Sequence, residues 1–410
     1  MRHIYTSVDI GTCSTKIVTS ELYKGKLNLL AASSIKSKGI KKGLITDVNE
    51  ASNSIKEAIR ENEGMLGFKI KKVIINIPSY FSEFTKIEGK IKIDSPNRVI
   101  NGGHISKVLQ VALHNSDFSK EVVSIIPIDF GVDVQTGIKD PKGLMGDVLS
   151  VRAVACLTPK KNIYSVVNLI DSLGLEVVDI SLNGIGDINA FRNKDIDSKL
   201  GAIINIGYET TNISIYNKSI LIKNSIIGMG GKNIDNDISY MYKLNLDEAC
   251  VVKEKFALAH KSNANINDFY EASSGKINQF EVSEVVMSRV EEILGLAKKE
   301  IFNLAGRKMD YIIITGGVSN MDGFSAIASS VFGKDVRIGN VNIIGIRDNM
   351  YSSAIGNIAY YINKLKLVGE DYSMIEEEID FSKDELVVSN DSMLEKVFGY
   401  FFGETNKEEI

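Results

Sequence analysis

The chain has no tryptophan, only five prolines and only three cysteines in 410 residues. Cys13, Cys156 and Cys250 stand far apart, without metal-ligand spacing. So sparse and odd a set of thiols fits a reducing cytosol and speaks against a disulfide-stapled secreted scaffold. The histidines, His3, His104, His114 and His260, are equally scattered and suggest no metal centre. No apolar run is long enough to span a bilayer. Met1-Arg2-His3 leads straight into a strand-like run, so no signal peptide is expected. A strong charge bias is missing too: the formal net charge is -4, which gives no pull toward nucleic acid. What the chain does have is a hydrophobic fraction of 44%, ample for a core, and a length of 410 residues that suggests two to three structural units.

It also has glycine at three telling places. The first is Val8-Asp9-Ile10-Gly11-Thr12-Cys13-Ser14-Thr15-Lys16, the second Ile204-Asn205-Ile206-Gly207-Tyr208-Glu209-Thr210-Thr211-Asn212, the third Ile312-Ile313-Ile314-Thr315-Gly316-Gly317-Val318. Each follows a β-branched apolar run that reads as a buried strand. The first two lead into another strand-like run, as hairpins do, and the third leads into a helix-like stretch. Glycine at such turns lets the backbone approach a ligand, and successive N–H groups form an anion-binding nest. Three such turns in this order point to the phosphates and ribose of a nucleotide. Asp9 ends its strand, where a carboxylate orients a hydrated Mg²⁺. Thr12, Ser14 and Lys16 supply hydroxyls and a cation for phosphate oxygens. The second turn offers Gly207, Thr210 and Thr211. Asn205 stands there where a second acid would balance Asp9, and an amide is no general base. Cys13 inside the first turn is either a small filler or a reactive thiol.

Periodicity divides the rest. Helices are expected over 48–62, capped by Asp47 or Asn49, and over 106–114, 160–173, 233–242, 247–259, 281–304, 322–331 and 351–365. Strands are expected over 72–77, 86–93, 122–128, 148–158, 175–182 and 311–314, with a three-strand meander over 200–227. The opening theme of meander, phosphate hairpin and helices thus occurs twice, as two α/β halves facing across a cleft. Residues 367–390 turn acidic, with Glu376-Glu377-Glu378, and read as a flexible linker spanning roughly 25–30 Å. In the tail, 391–410, Leu394, Val397, Phe398, Phe401 and Phe402 share one helical face. That pattern reads as a membrane-surface helix, with docking on the body or on a partner as the other readings. Asp391, Glu395, Glu404, Glu408 and Glu409 outnumber Lys396 and Lys407, so binding would rest on the aromatics rather than on anionic lipid.

Taken together, these residues resemble the actin-like ATPase superfamily and, within it, the FtsA family of bacterial cell division. The likeness covers nearly the whole chain. Asp9-Ile10-Gly11-Thr12 with Ser14 and Lys16 matches the first phosphate motif, and Asn205-Ile206-Gly207 with Thr210-Thr211 the second. Gly230-Gly231 with Asn233 and Asp235, then Glu254 and Lys255, look like the ribose and adenine-side elements, and Thr315-Gly316-Gly317 with Val318 like the adenosine motif. Ser353-Ala354-Ile355-Gly356 looks like the second connecting helix. The segment with Ile126-Pro127, Asp133 and Asp140-Pro141-Lys142-Gly143-Leu144-Met145-Gly146 is similar to the family's own insert.

The resemblance implies an α/β, actin-like (ribonuclease H-like) duplicated two-domain fold with an FtsA-type inserted subdomain and a C-terminal amphipathic helix. The first core would take 1–80, 159–198 and 345–366, the insert 81–158, the second core 199–228 and 307–344, and its outer subdomain 229–306. It implies ATP and Mg²⁺ as cofactors, the metal held through water by Asp9. It implies an adaptor that self-associates and lies on the cytoplasmic face of the membrane at the division site. There it would hold the C-terminal peptide of the tubulin-like protein FtsZ and recruit later division proteins. Lys276 and Arg289 are the candidates for meeting that acidic peptide. Asn205 in place of the usual second acid implies a weak ATPase at most, and Tyr208 and Glu209 stand where glycines are often found.

Two other classes share the fold. A sugar or acid kinase needs a base for its acceptor, and Asp187 is the one candidate near the first connecting segment, unless it is a helix cap. A pilus-assembly scaffold of the PilM kind would not need the tail or the 140–146 segment.

Overall fold

The computed structural model describes residues 3–375, apart from 117, 342, 344, 346 and 347. The chain opens with a meander of β1 (His3–Ile10), β2 (Ser14–Tyr23) and β3 (Lys26–Lys36), then a short hairpin of β4 (Ile40–Lys41) and β5 (Leu44–Ile45). Next come α1 (Val48–Leu66) and β6 (Lys72–Ile77). Asp47 caps α1 by accepting from the Glu50 N–H at 3.0 Å. An inserted unit follows: β7 (Glu83–Lys92), α2 (Gly102–His114), β8 (Glu121–Val132), β9 (Gln135–Ile138) and β10 (Val148–Thr158). The chain returns through α3 (Lys160–Ser172), β11 (Glu176–Leu182) and α4 (Asn183–Phe191).

The second half runs β12 (Leu200–Ile206), β13 (Thr211–Asn217), β14 (Ile220–Ile227), α5 (Gly231–Tyr242), α6 (Leu246–Lys255), β15 (Phe269–Ala272), β16 (Gly275–Asn278) and α7 (Gln279–Ala305). It ends with β17 (Tyr311–Thr315), a 3-10 turn at Gly317–Asn320, α8 (Phe324–Phe332), β18 (Val336–Ile338) and α9 (Ser352–Val368).

The duplication is written in strand order. One sheet reads β3-β2-β1-β6-β11 and the other β14-β13-β12-β17-β18. In both, an antiparallel meander is extended by two parallel strands at the same positions. The Ile- and Val-rich central strands are buried on both faces, as parallel strands covered by helices must be. The insert has its own sheet, β7-β10-β8-β9, with α2 packed on one face through Ile105, Val108, Leu109 and Ala112.

Helices α4 and α9 cross where the halves meet, and glycine makes the crossing possible. A Cβ on Gly356 would lie 1.7 Å from the Gly186 carbonyl oxygen, and one on Gly186 would lie 2.5 Å from that of Ser353. Backbones this close leave no room for any side chain.

Several boundaries depart from expectation. Helix α6 stops at Lys255, not 259, because the next residues bond elsewhere: the Leu258 N–H reaches Ser283 Oγ at 2.9 Å and the Ala259 N–H the Asp322 carbonyl at 2.8 Å. Hairpin β15–β16, strands β9 and β18 and helix α4 had no counterpart in the sequence reading. The segment assigned to a linker from 367 is ordered at its start. Lys142 Nζ reaches the carbonyls of Lys366 and Leu367 at the end of α9. Beyond it, Met374 lies in the core, its N–H donating to the Ile4 carbonyl at 3.0 Å, and Tyr5 Oη reaches the Tyr372 carbonyl at 2.7 Å. Residues 376–410, with Leu394, Val397, Phe398, Phe401 and Phe402, lie outside the described residues. Among those described, no helix is long and apolar enough to cross a membrane.

Candidate functional site

Strand register sets the first turn. Asp9 on β1 stands opposite Lys16 on β2, so both side chains leave the same face, and Lys16 Nζ lies 3.3 Å from Asp9 Oδ2. The Gly11 N–H closes the hairpin on the Ser14 carbonyl at 3.2 Å. Asn76, at the end of neighbouring β6, donates from Nδ2 to Asp9 Oδ1 at 2.8 Å and to Asn183 Oδ1 of α4 at 2.6 Å. Thr12 Oγ1 accepts from the Gly43 N–H at 2.8 Å, which brings the β4–β5 hairpin to this turn.

The second turn closes the same way, the Gly207 N–H on the Thr210 carbonyl at 2.9 Å. Helix α5 docks directly on it: the N–H groups of Gly231 and Lys232 reach the carbonyls of Gly207 and Tyr208 at 2.9 and 2.7 Å. Gly230 is required for that approach, because a Cβ there would sit 2.4 Å from the Gly207 oxygen. Asn233 Oδ1 accepts from the Gly230 N–H at 3.0 Å, and Thr211 Oγ1 donates to the Met229 carbonyl at 2.8 Å. Glu209 is a clasp between the halves, one oxygen accepting from the Lys42 N–H at 2.7 Å and the other from Lys232 Nζ at 2.7 Å.

The third turn lies on the second. Gly316 has φ 94°, and a Cβ on it would meet the Ile206 carbonyl at 2.3 Å and Asn205 Oδ1 at 2.8 Å. Gly317 faces open space, while Val318 is buried against Gly231. Thr315 Oγ1 donates to Ser352 Oγ of α9 at 3.0 Å.

Asp187 lies beneath both strand ends and is 1% exposed. It caps nothing, for it sits inside α4. Its Oδ1 accepts from Ser353 Oγ at 2.6 Å and from Asn205 Nδ2 at 3.1 Å, and its Oδ2 from the same Nδ2 at 3.0 Å. Burial pushes its carboxyl up to about 6, against the hydrogen bonds from Ser353 and Asn205 and with help from the charge of Asp9. A carboxyl so enclosed and hydrogen-bonded is not presented to an incoming acceptor in this structure.

The structure therefore places Asp9, Gly11, Thr12, Cys13, Ser14, Lys16, Asn205, Gly207, Thr210, Thr211, Gly230, Gly231, Asn233, Gly316, Gly317 and Val318 on the three turns and the start of α5, with the first two turns joined through the Thr12–Gly43 and Lys42–Glu209 hydrogen bonds. The backbone N–H groups of Thr12 and Cys13, and of Tyr208 to Thr210, make no backbone hydrogen bond among the described residues. Those free donors suit an anionic ligand. Cys13 is no thiolate, since burial raises its pKa above the ordinary value despite Lys253 and Lys16 nearby. Glu254 and Lys255 are exposed on the outer side of α6, and Lys253 is the residue turned inward. Lys253 Nζ pairs with the fully buried Asp235 at 2.7 Å and lies 5.5 Å from the Tyr208 ring centre. Lys253, Asn76, Asn183 and the Glu209 clasp were not anticipated. Arg289 is saturated by Asp237, at 2.6 and 2.8 Å, and by Glu292, while Lys276 pairs with Glu271 at 3.0 Å on the separate β15–β16 hairpin.

Known proteins fall in line with this architecture. The family model "Cell division protein FtsA" matches residues 202–356, and "SHS2 domain inserted in FTSA" matches residues 83–156. The chain is 29% identical over 387 residues to the cell division protein FtsA of Bacillus subtilis, covering 92% of this chain and 88% of that one. It is 25% identical over 397 residues to FtsA of Enterococcus hirae, covering 92% and 90%. The chain belongs to the FtsA family.

The segment between β6 and α3 matches the SHS2 domain inserted in that family. Solved structures agree on the actin-like fold. The ethanolamine utilization protein EutJ of Carboxydothermus hydrogenoformans superposes with TM-score 0.54 at 16% identity, over 87% of this chain and 89% of that one. A PilM–PilN type IV pilus biogenesis complex gives 0.54 at 15%, over 89% and 98%. MreB5 of Spiroplasma citri bound to ADP gives 0.50 at 13%, over 89% and 97%. The FtsA-type chain therefore joins a duplicated actin-like body to an SHS2 insert.

Proposed function

We propose that this chain is a nucleotide-binding, self-associating adaptor of bacterial cell division that tethers FtsZ to the cytoplasmic face of the membrane at the septum. The observation that carries the reading is the meeting of three glycine turns, with unpaired amides in two of them, over one floor made by α4 and α9. ATP would place its phosphates against the first two turns and its adenosine against Gly230, Gly231, Gly316 and Val318. Asp9, beside Lys16 and Asn76, would hold the water shell of Mg²⁺ carried by the phosphates. No group of three or more His, Cys, Asp or Glu among the described residues is arranged to bind a metal alone, so the nucleotide itself would supply most of the ion's charge partners.

The FtsA family supports the partners: FtsZ at the outer subdomain of the second half, other copies of the chain, and later division proteins. The membrane reading rests on the spacing of Leu394, Val397, Phe398, Phe401 and Phe402 in the sequence. Arg289 would meet an acidic peptide only by releasing Asp237, so Lys276 is the more available cation. Liposome flotation of the full chain beside one ending at Asn390, each with and without ATP, tests the tether. The full chain should float and the shortened chain should not. Flotation of both would place the anchor elsewhere, and flotation of neither would leave a soluble scaffold as the better reading.

A further inference from the structure

The two halves repeat one strand-end triplet, Asp9-Ile10-Gly11 and Asn205-Ile206-Gly207, at equivalent strands of equivalent sheets. One carries a carboxylate and the other an amide. A carboxylate is nevertheless present at the second site, brought by a different element. Helix α4 places Asn183 and Asp187 one turn apart on the same face. Asn183 accepts from the Asn76 amide that also holds Asp9, and Asp187 accepts from Asn205 with both of its oxygens. One helix thus reaches both strand ends.

Three features mark Asp187 as more than a packing residue. No lysine or arginine pairs with it among the described residues, although it is buried. The charge that perturbs it is that of another acid, Asp9. Of these two acids only Asp9 has a cation beside it, Lys16, which leaves charge for a cation from outside. Further, the hydrogen bonds fix which way Asn205 points. Its Nδ2 faces Asp187 and, at 3.3 Å, Ser353 Oγ, so its Oδ1 is turned toward Gly316 of the third turn. An amide hydrogen-bonded to a buried carboxylate is polarised, which enriches the negative charge on its outward oxygen. Finally, the Asn76 Oδ1 beside Asp9 is buried without a partner among the described residues, an acceptor waiting for a donor such as a metal-bound water.

We propose that Asp187 is a positioning residue of the cleft: acting through the Asn205 amide, it replaces from α4 the carboxylate that the end of β12 lacks, and so sets the affinity for magnesium-bound nucleotide. This rests on the nucleotide reading above. The test is the affinity of the full chain for ATP, with magnesium and with EDTA, in the native chain, in Asp187→Asn and in the reciprocal pair Asp187→Asn with Asn205→Asp. A hydrogen bond to a charged group is worth enough that Asp187→Asn should lose about tenfold or more of the magnesium-dependent affinity. Its unfolding temperature without nucleotide should not fall. The reciprocal pair should return to within about threefold of the native chain, because it restores one carboxylate and one amide in exchanged places. Should Asp187→Asn not fold, Asp187→Ser carries the same expectation, as it keeps an acceptor for Asn205. Unchanged magnesium-dependent affinity in the single variant, or no recovery in the pair, overturns the proposal while leaving nucleotide binding intact. A native chain that binds no ATP overturns both.

Discussion

Replacing Asp187 with asparagine should stabilise the nucleotide-free chain at neutral pH. The folded carboxyl titrates at about 6 instead of 3.8, chiefly because burial strips its water. The folded state therefore holds this proton more tightly than the unfolded one. Stability from the group is complete below pH 3.8, falls as the pH rises from 3.8 to about 6, and is level above that. About two pH units at roughly 1.4 kcal/mol each make the buried charge a cost of about 3 kcal/mol at pH 7. Asparagine removes that cost but turns one amide group toward the Asn205 amide, where a carboxylate oxygen had accepted at 3.0 Å. The lost bond takes back about 1 kcal/mol. The variant should thus gain about 2 kcal/mol at pH 7 and lose about 0.5 kcal/mol near pH 4, where the folded carboxyl is protonated and the lost bond outweighs the small remaining cost of its burial. Urea unfolding of both chains, followed by one probe at several pH values between 4 and 7.5, reads the difference. A gap that does not change with pH, or a variant weaker than the native chain at pH 7, would refute the argument.

Two further substitutions probe the cleft walls. Lys253→Met strands the fully buried Asp235 without its cation and should cost about 3–5 kcal/mol of stability, while adding Asp235→Asn should recover most of it; equal losses in the single and double variants, measured by urea midpoint, would contradict the pairing. Gly356→Ala forces a methyl group to within 1.7 Å of the Gly186 oxygen and should cost about 1–3 kcal/mol or more by opening the α4–α9 crossing. Gly64→Ala, in α1 with nothing within 4 Å, should instead add about 0.5–1 kcal/mol, and thermal unfolding of the two alanine variants compares a crowded helical glycine with an open one.

The sheets were legible in the sequence because their strands are runs of isoleucine and valine ended by glycine turns, and nothing else in the chain imitates that pattern. The insert was legible from its alternating strands, which now appear as β7, β8 and β10. Helix α4 was not, because Asn183-Gly184-Ile185-Gly186 has the composition of a loop. Those glycines serve the contacts with Ser214 and α9, a tertiary demand that local propensity does not register. Asn76 and Asn183 were hidden for the same reason, and Asp187, readable as a base or a cap, meets Ser353 and Asn205 only through folding. Lys253 was readable in principle. Ala249, Val252, Lys253 and Phe256 share one face of α6, and that spacing turns Lys253 inward and leaves Glu254 and Lys255 out. Glu209 looked like an intrusion into a glycine turn and is instead the clasp to Lys42.

The anchoring of Tyr372 to Met374 along β1 has a mechanical consequence. The last described residues lie against the start of β1, so a pull on Ile375 is carried first by the bonds to Ile4 and Tyr5. Those residues lie on the same strand as Asp9, about 17 Å along it at the rise of a β-strand. Load entering at one end of β1 runs lengthwise toward the first turn at the other, and reaches the second half through the α4–α9 crossing and the Glu209 clasp. Tension on Ile375 would therefore act on the first turn before it acts on the second half.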